Sequence, residues 1–509
     1  MLLRRSDFIG GLTAMLLAVV CAATPADEFQ FSHENVLGTS LELTLHCPDQ
    51  ETALQAEQCL LQEIDRLSEI FSHYSATSEF SRLTQRPVGS TTPISAELSR
   101  LLCRCEEWNR VSQGAFNPAV ELMTQRWKQA ARTATVPSTD ELQELVRRTA
   151  RAHWRVQVAS HEVTRLTAEP LSLNAIAKGT ILDLATRRIQ QEFPRIDAVL
   201  LNIGGDIRVA GERVFQVQIP NPARDSVNAA PLMQVALQDQ AIATSGSSER
   251  FLTIGGKSYS HLIDPRTGVP CEQIASASVI APDAETADVL ATICCVLPAD
   301  ESLRLINTLP MAACYLVTST GTVMASRGWP AEEAQESAAP VVGSRDEGAP
   351  KTAATPHDLL VEFEISKPDQ GGRYRRPYVA VWVEDADGFP VKTLSLFLMA
   401  DNPGPRWHRD LRRWYSSDQV RQLVDDTKLI GTISKPSRNP GKYKVSWDGT
   451  DDLGQLLKDG PYTLYIEAAR EHGTYQLMKQ AIQLGGENYQ HTLKGNVEIG
   501  SASVTYRRK

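Results

Sequence analysis

Leu41, Leu43 and Leu45 occupy alternate positions of Ser40–Leu45, which predicts a strand with one buried face. Directly after it the period changes. Leu60, Ile64, Leu67 and Phe71 recur at three- and four-residue steps and predict a helix from about Asp49 to Ser72. A second helix is expected over Ala96–Ser112, ended by Gly114, and a third over Gly179–Gln191. Val199–Ile203 is a short apolar run closed by Gly204-Gly205, the pattern of a buried strand. Phe251–Ile254 and Tyr259–Ile263 flank Gly255-Gly256 and predict a hairpin. These strands and helices mix without a regular strand–helix–strand repeat. Residues 27–328 are therefore expected to be α+β, a mixed sheet with helices.

From Trp329 to Asp358 the large apolar residues thin out and Pro, Ala, Glu, Gly and Ser dominate, which predicts a linker over 329–358. Beyond it alternation returns without helical spacing. Leu359-Val361-Phe363, Tyr378–Val383, Val391-Leu394-Leu396, Tyr443-Val445-Trp447 and Tyr462-Leu464-Ile466 are separated by Asp387-Gly388, Asp448-Gly449 and Gly460-Pro461. Short strands broken by such turns predict an all-β sandwich over 359–509. The acidic residues of those turns, Asp385, Asp387, Asp448, Asp451 and Asp452, are expected to shape turns rather than bind Ca²⁺.

Residues 1–26 have the build of an export signal: Arg4-Arg5, an apolar run from Leu12 to Val20, then Ala22, Ala23 and Ala26. Cleavage is expected after Ala23 or Ala26, with a retained or lipidated N-terminal anchor as the alternative, and a periplasmic location follows. A net charge of −9 leaves no basic excess for phosphate backbones, so nucleic acid is not an expected partner. Nine cysteines show no zinc spacing; Cys103, Cys105, Cys294 and Cys295 sit in apolar surroundings and are expected to be buried thiols. A Cys47–Cys59 disulfide is the alternative that spacing alone leaves open.

Six segments of the first region carry candidate chemistry, and each also has a plain structural reading. Leu171–Gly179, with Ala175 and Lys178, is a small-residue turn opening the helix that carries Asp183; it suits an anion, or is simply a tight turn. Asn202–Asp206 places Gly204-Gly205 where backbone can approach a ligand, or where a hairpin turns. Thr244-Ser245-Gly246 offers donors to phosphate or ribose. His261 stands three residues before Asp264 in Tyr259–Gly268, at a strand end. Asp288 and Thr292 share one helix face, two hard oxygens suited to Mg²⁺. Gly114–Val120, with Phe116 and Asn117, and Trp127 beyond it, are candidates to line a ring pocket. Gly256-Lys257-Ser258 ends like a phosphate-binding P-loop, but Phe251 replaces the leading glycine, and no dinucleotide-binding Gly-x-Gly-x-x-Gly follows a strand.

Taken in order with Tyr74-x-x-x-Ser78-Glu79-x-x-x-Leu83, these motifs resemble the ApbE family of FAD:protein FMN transferases over about residues 35–320. The resemblance implies a Mg²⁺-dependent extracytoplasmic enzyme that splits FAD and attaches FMN to a Thr or Ser of a partner protein, releasing AMP. It implies Ala175, Asp288 and Thr292 as the metal set, and His261, Asp264 and Lys178 at the reacting phosphate. Around FAD it and the motifs together indicate Tyr74, Phe116, Asn117, Lys178, Asp183, Gly204, Gly205, Asp206, Thr244, Ser245, Gly246 and His261. The C-terminal part is similar to an uncharacterised periplasmic domain appended to such transferases and to an Ig-like module, and is expected to be an interaction module.

Ser172, Asn174, Asn117 and Thr84 depart from residues frequent in the family (Asp, Gly, Asp and Asn), which bears on FAD affinity. The chain lacks the acceptor motif that family members modify, so the acceptor is expected to be another protein, with a membrane electron-transfer subunit as one candidate. A FAD pyrophosphatase giving FMN and AMP, and a non-catalytic flavin-binding scaffold, are the rival readings.

Overall fold

A computed structural model describes residues 27–222, 231–246, 251–330, 355–367, 376–398, 408–425, 429–470 and 474–509. The expected export signal, and all but the ends of the expected linker, lie outside the described residues.

Eight strands form the main sheet: Asp27–Val36, Thr39–Cys47, Ala198–Ile203, Asp206–Gly211, Ala241–Gly246, Ile274–Ala281, Ala313–Thr318 and Val323–Ala325. They lie side by side in chain order, and every neighbouring pair is antiparallel. The region is α+β, as its patterning predicts, and within that class the sheet is antiparallel throughout. The pleat sorts side chains by parity. Leu41, Leu43, Leu45, Val199, Leu201, Ile203, Ala241 and Ala243 face a core shared with the helices Gln50–Phe71, Asn174–Glu192 and Ala284–Val296. Val209, Ile242 and Ile280 face the other way, onto the hairpin Phe215–Ile219/Met233–Leu237.

The Asn174–Glu192 helix begins five residues before the position expected from sequence. Lys178 and Gly179 therefore lie inside the helix rather than in a loop ahead of it. Gly179 is where this helix crosses the start of the Ala284–Val296 helix. A Cβ placed on Gly179 would sit 2.3 Å from the Ala284 carbonyl oxygen and 2.7 Å from the Glu285 Cα. The crossing is thus a backbone-to-backbone contact.

The Ala284–Val296 helix is buried on almost every side. Its first N–H groups are satisfied by two carboxylates: Asp283 Oδ1 accepts from Thr286 N at 2.8 Å, while Asp183 Oδ1 and Oδ2 accept from Ala284 N and Glu285 N, each at 2.9 Å. Glu285, itself buried, accepts from Arg104 Nε at 2.6 Å and from Thr180 Oγ1 at 3.0 Å. Among the described residues no helix is long and apolar enough to cross a membrane. The described cysteines are thiols, Cys47 and Cys59 included.

The C-terminal region is a two-sheet sandwich. One sheet orders Gly441–Trp447, His357–Ile365, Ile499–Arg508 and Tyr489–Lys494; the other orders Ser434–Lys435, Pro390–Phe397, Tyr378–Glu384, Gly460–Ala469 and Tyr475–Leu484. Leu359, Val361 and Phe363 meet Val379, Val381 and Val383 between them. Besides the short helix Ile430–Ile433, the sequence pattern missed the helix Arg412–Asp425. It covers the outer face of the second sheet through Leu411 and Trp414 against Ala380, Trp382 and Leu396. The buried Glu467 accepts from Arg413 N at 2.9 Å and Trp414 N at 2.7 Å at the start of that helix. Three of the turn aspartates, Asp385, Asp448 and Asp451, accept backbone N–H groups of the residues that follow them, whereas Asp452 accepts from Thr393 N at 3.2 Å.

Gly179→Ala is expected to destabilise the protein by roughly 3 kcal/mol, because the added methyl meets backbone that cannot rotate away. A urea melt with an unchanged midpoint would show that the crossing has slack.

Candidate active site

A cleft of about 230 Å³ opens where five separate stretches of the chain form three walls. One wall is Tyr74 and the segment Ala115–Pro118; a second is the start of the Asn174–Glu192 helix; the third is His261–Ile263 with Thr292. Tyr74 is exposed on the rim and its hydroxyl accepts from Asn174 Nδ2 at 2.8 Å. Ser78 holds the Tyr74 loop by capping the next short helix, accepting from Ser81 N at 3.0 Å.

Phe116 is buried and lines the cleft. Asn117 also lines it, but both ends of its amide are engaged: Oδ1 accepts from Ala119 N at 2.9 Å and Nδ2 donates to the Thr149 carbonyl at 3.0 Å. Asn117 caps the turn Pro118–Val120, which leads into the helix Glu121–Thr133. That helix contributes Glu121, Thr124 and Lys128, residues the motif search passed over. Their signal was the Asn-Pro start followed by Glu121, with polar residues three and seven positions beyond that glutamate.

Ala175 and Thr292 share the cleft with His261. Asp288 lies one helical turn from Thr292 and deeper, only 6 % exposed. Its Oδ2 accepts from Gly179 N at 3.1 Å. The neighbouring Lys178 places its Nζ 2.8 Å from Asp206 Oδ2, and Asp206 is 2 % exposed. Burial first, then repulsion from Asp206, push the Asp288 carboxyl up to about 7, against the pull of Lys178 and the Gly179 N–H. Burial likewise raises Asp206, opposed by Lys178.

Gly204 and Gly205 both take positive φ, at 61° and 96°, and form the two-residue turn between Ile203 and Asp206. Their role here is to reverse the chain and deliver Asp206 inward; Asn202 Oδ1 fastens the turn by accepting from Gly205 N at 3.0 Å. Asp183 is committed to the two N–H groups of the Asp288 helix, and burial raises its carboxyl to about 6. Thr244 shares a hydrogen bond with Ser278 at 2.8 Å, and the Ser245 carbonyl accepts from Cys295 Sγ at 3.3 Å. Thr244, Ser245 and Gly246 end a sheet strand and stand outside the cleft wall.

His261 follows the strand Lys257–Ser260 rather than closing it. Asp264 organises the turn behind it. Its carboxylate accepts from Arg266 N at 2.9 Å and is gripped by the Arg266 guanidinium at 2.8–3.2 Å, while its carbonyl accepts from Gly268 N at 2.7 Å. Trp127 does not face the cleft. Buried beneath the turn, it donates from Nε1 to the Gly268 carbonyl at 2.8 Å. Arg266 and Trp127 are therefore the supports of the His261 loop.

Comparison with known proteins agrees with this architecture. Residues 37–316 match the model of the ApbE family, and residues 358–501 match a family described as a predicted periplasmic protein (DUF2271). The FAD:protein FMN transferase of Treponema pallidum is 29% identical over 342 residues, 63% of this chain and 93% of that one. That of Rhodobacter capsulatus is 30% identical over 300 residues, covering 57% of this chain and 56% of its own. The crystal structure of the ApbE protein of Thermotoga maritima superposes with a TM-score of 0.53 at 24% identity, over 59% of this chain and 97% of that one. Fold, order of motifs and family match coincide over the same stretch, and the chain belongs to the ApbE family.

Proposed function

We propose that this protein is an FAD:protein FMN transferase acting outside the cytoplasm, with the export signal at 1–26, the catalytic region at 27–328, the linker at 329–358 and the sandwich at 359–509 as an interaction module. The observation that carries the reading is convergence: an aromatic-walled cleft whose floor joins His261, Ala175 and Thr292, with the Asp288 carboxylate one turn below.

The donor set fits a divalent cation. Two buried carboxylates, Asp288 and Asp206, lie close enough to repel, and a single ammonium answers them. Among the described residues no group of three or more His, Cys, Asp or Glu gathers as a metal cage. Few protein ligands and hard oxygens suit Mg²⁺, which keeps waters and takes substrate phosphate oxygens. Asp288, the Thr292 hydroxyl and the Ala175 carbonyl would hold it. When bound, it supplies neutralisation of charge on the FAD diphosphate.

The remaining work belongs to this chain's residues. Tyr74 and Phe116 provide surfaces for the flavin ring system at the cleft mouth and wall. Lys178, beside Asp206 and Asp288, is the cation we place at the phosphate oxygens. An acceptor Thr or Ser oxygen forms the new bond to the FMN phosphorus, the bond from that phosphorus to the bridging oxygen breaks, and AMP departs with that oxygen. His261 faces the cleft and is the group placed to take the hydroxyl proton. Asp264 acts on it at one remove, by shaping the loop with Arg266. With water in place of the hydroxyl the same geometry yields FMN and AMP, the pyrophosphatase reading.

The exported form, given FAD, Mg²⁺ and an acceptor domain with a flavinylation sequence, is expected to add one FMN mass to the acceptor. Asp288→Ala should slow this on the order of a thousandfold, the equivalent of several kcal/mol of lost charge stabilisation. Release of free FMN and AMP without acceptor labelling would favour the pyrophosphatase; FAD left intact would favour a scaffold.

Charge at the site also predicts a pH dependence. In chelator-treated protein the native Asp288 keeps its proton up to about 7, whereas the unfolded chain releases it near pH ~4. The native state then binds more protons across that window, so stability falls as pH rises from about 4 to 7 and levels off above. Asp288→Asn should make that fall shallower in thermal melts; an identical slope in the two proteins would refute the assignment.

A further inference from the structure

The ion pair between Lys178 and Asp206 has a consequence for how the site is loaded. Asp206 is the first residue after a tight two-glycine turn, in register with Ile203, and is held on the sheet. Asp288 is held by the Gly179 N–H on a helix packed at backbone distance against its neighbour. The backbones that carry the two carboxylates are thus fixed, one on the sheet and one on a packed helix. Lys178 differs: its side chain is 31% exposed and ends a flexible four-carbon stem. It is the mobile charge of the three.

The charge balance changes with a divalent cation. With both acids ionised, two carboxylates and one ammonium sum to one negative charge. Two carboxylates and a divalent cation sum to zero, and the ammonium then becomes surplus beside the position of an anionic diphosphate. We propose that Lys178 stands in for the divalent cation when that cation is absent, neutralising the Asp206–Asp288 pair through Asp206, and that cation binding releases it toward the diphosphate of FAD. The inference rests on the metal reading of Asp288 and Thr292 given above. It makes Asp206 a positioning residue that parks Lys178, and it orders loading so that the cation prepares the phosphate-binding group.

The test uses the unaltered exported chain, stripped of metal and without nucleotide. Lysines are acetylated with an amine-reactive ester with and without MgCl₂, and sites are quantified by mass spectrometry. Mg²⁺ should raise labelling of Lys178 about threefold or more relative to the exposed Lys257, as its ammonium leaves Asp206. Unchanged or reduced labelling overturns the exchange. Calorimetric titration of Mg²⁺ gives an independent arm: Lys178→Met should bind it roughly tenfold more tightly than wild type, the effect of removing one nearby like charge. Equal or weaker binding overturns the proposal; if that variant does not fold, the labelling result decides alone. Asp288→Asn separates the two levels. If it binds Mg²⁺ as tightly as wild type, the metal site itself is misassigned; if it loses Mg²⁺ while wild-type Lys178 does not respond, only the exchange fails.

Discussion

The crossing of the Lys178 helix over the start of the Asp288 helix is the constraint on which the rest depends. It can form only at a glycine, since any side chain on Gly179 would enter the Ala284 carbonyl. Once the backbones touch, successive residues of one helix find partners on the other without adjustment. Gly179 donates to Asp288, Thr180 donates to Glu285, and Asp183 receives the N–H groups of Ala284 and Glu285. Lys178, one position back, points to Asp206. Ala175, one turn earlier, reaches the cleft. A nine-residue stretch thereby supplies a cleft wall, a cation, a packing contact and a helix cap. The Asp288 helix, otherwise largely apolar, carries two acids into the interior, and each has donors there: Glu285 has Arg104 and Thr180, Asp288 has the Gly179 N–H.

Most of this architecture can be read from period and turn chemistry, which are local. The Leu41–Leu45 alternation, the Leu60–Phe71 stripe and the Gly255-Gly256 hairpin reappear as the strand, helix and hairpin they predict. What could not be read is whatever depends on a partner far along the chain. Asp183 looks like a ligand-facing acid until residues 284 and 285 arrive above it. Trp127 looks like a ring for the pocket until Gly268 presents a carbonyl to its indole N–H. The two glycines after Ile203 look like a ligand approach, and their positive φ angles make them a hairpin turn. Asp183 and Trp127 both have chemistry suited to a ligand, and both serve backbone groups, since buried N–H and C=O groups must be paired.

The same rule explains the helix missed in the sandwich. Arg412–Asp425 has no clean apolar stripe, so period alone gives it no signal. Its position is set by long-range terms: Glu467 in the Gly460–Ala469 strand receives the first N–H groups, and Glu384 in the neighbouring strand receives Ser417 Oγ at 2.8 Å and is ion-paired with Arg413. Two acids on a strand face that would otherwise be apolar would read as errors in a sandwich. They are satisfied only when a helix end lies across them, so they specify the helix more strongly than its own sequence does.

The active cleft inverts that logic. Several buried acids elsewhere in the fold are met by donors: Glu285 by Arg104 and Thr180, Asp264 by Arg266, Glu467 by a helix end. At Asp288 and Asp206 two buried carboxylates have one lysine between them, and burial and repulsion together raise the Asp288 carboxyl. A stable fold has no use for that deficit, which costs free energy in the unloaded state. The deficit is useful only if positive charge arrives from outside, and its depth beneath Thr292 and Ala175 sets where. The under-neutralised pair is thus the part of the molecule whose structure is explained by binding rather than by folding.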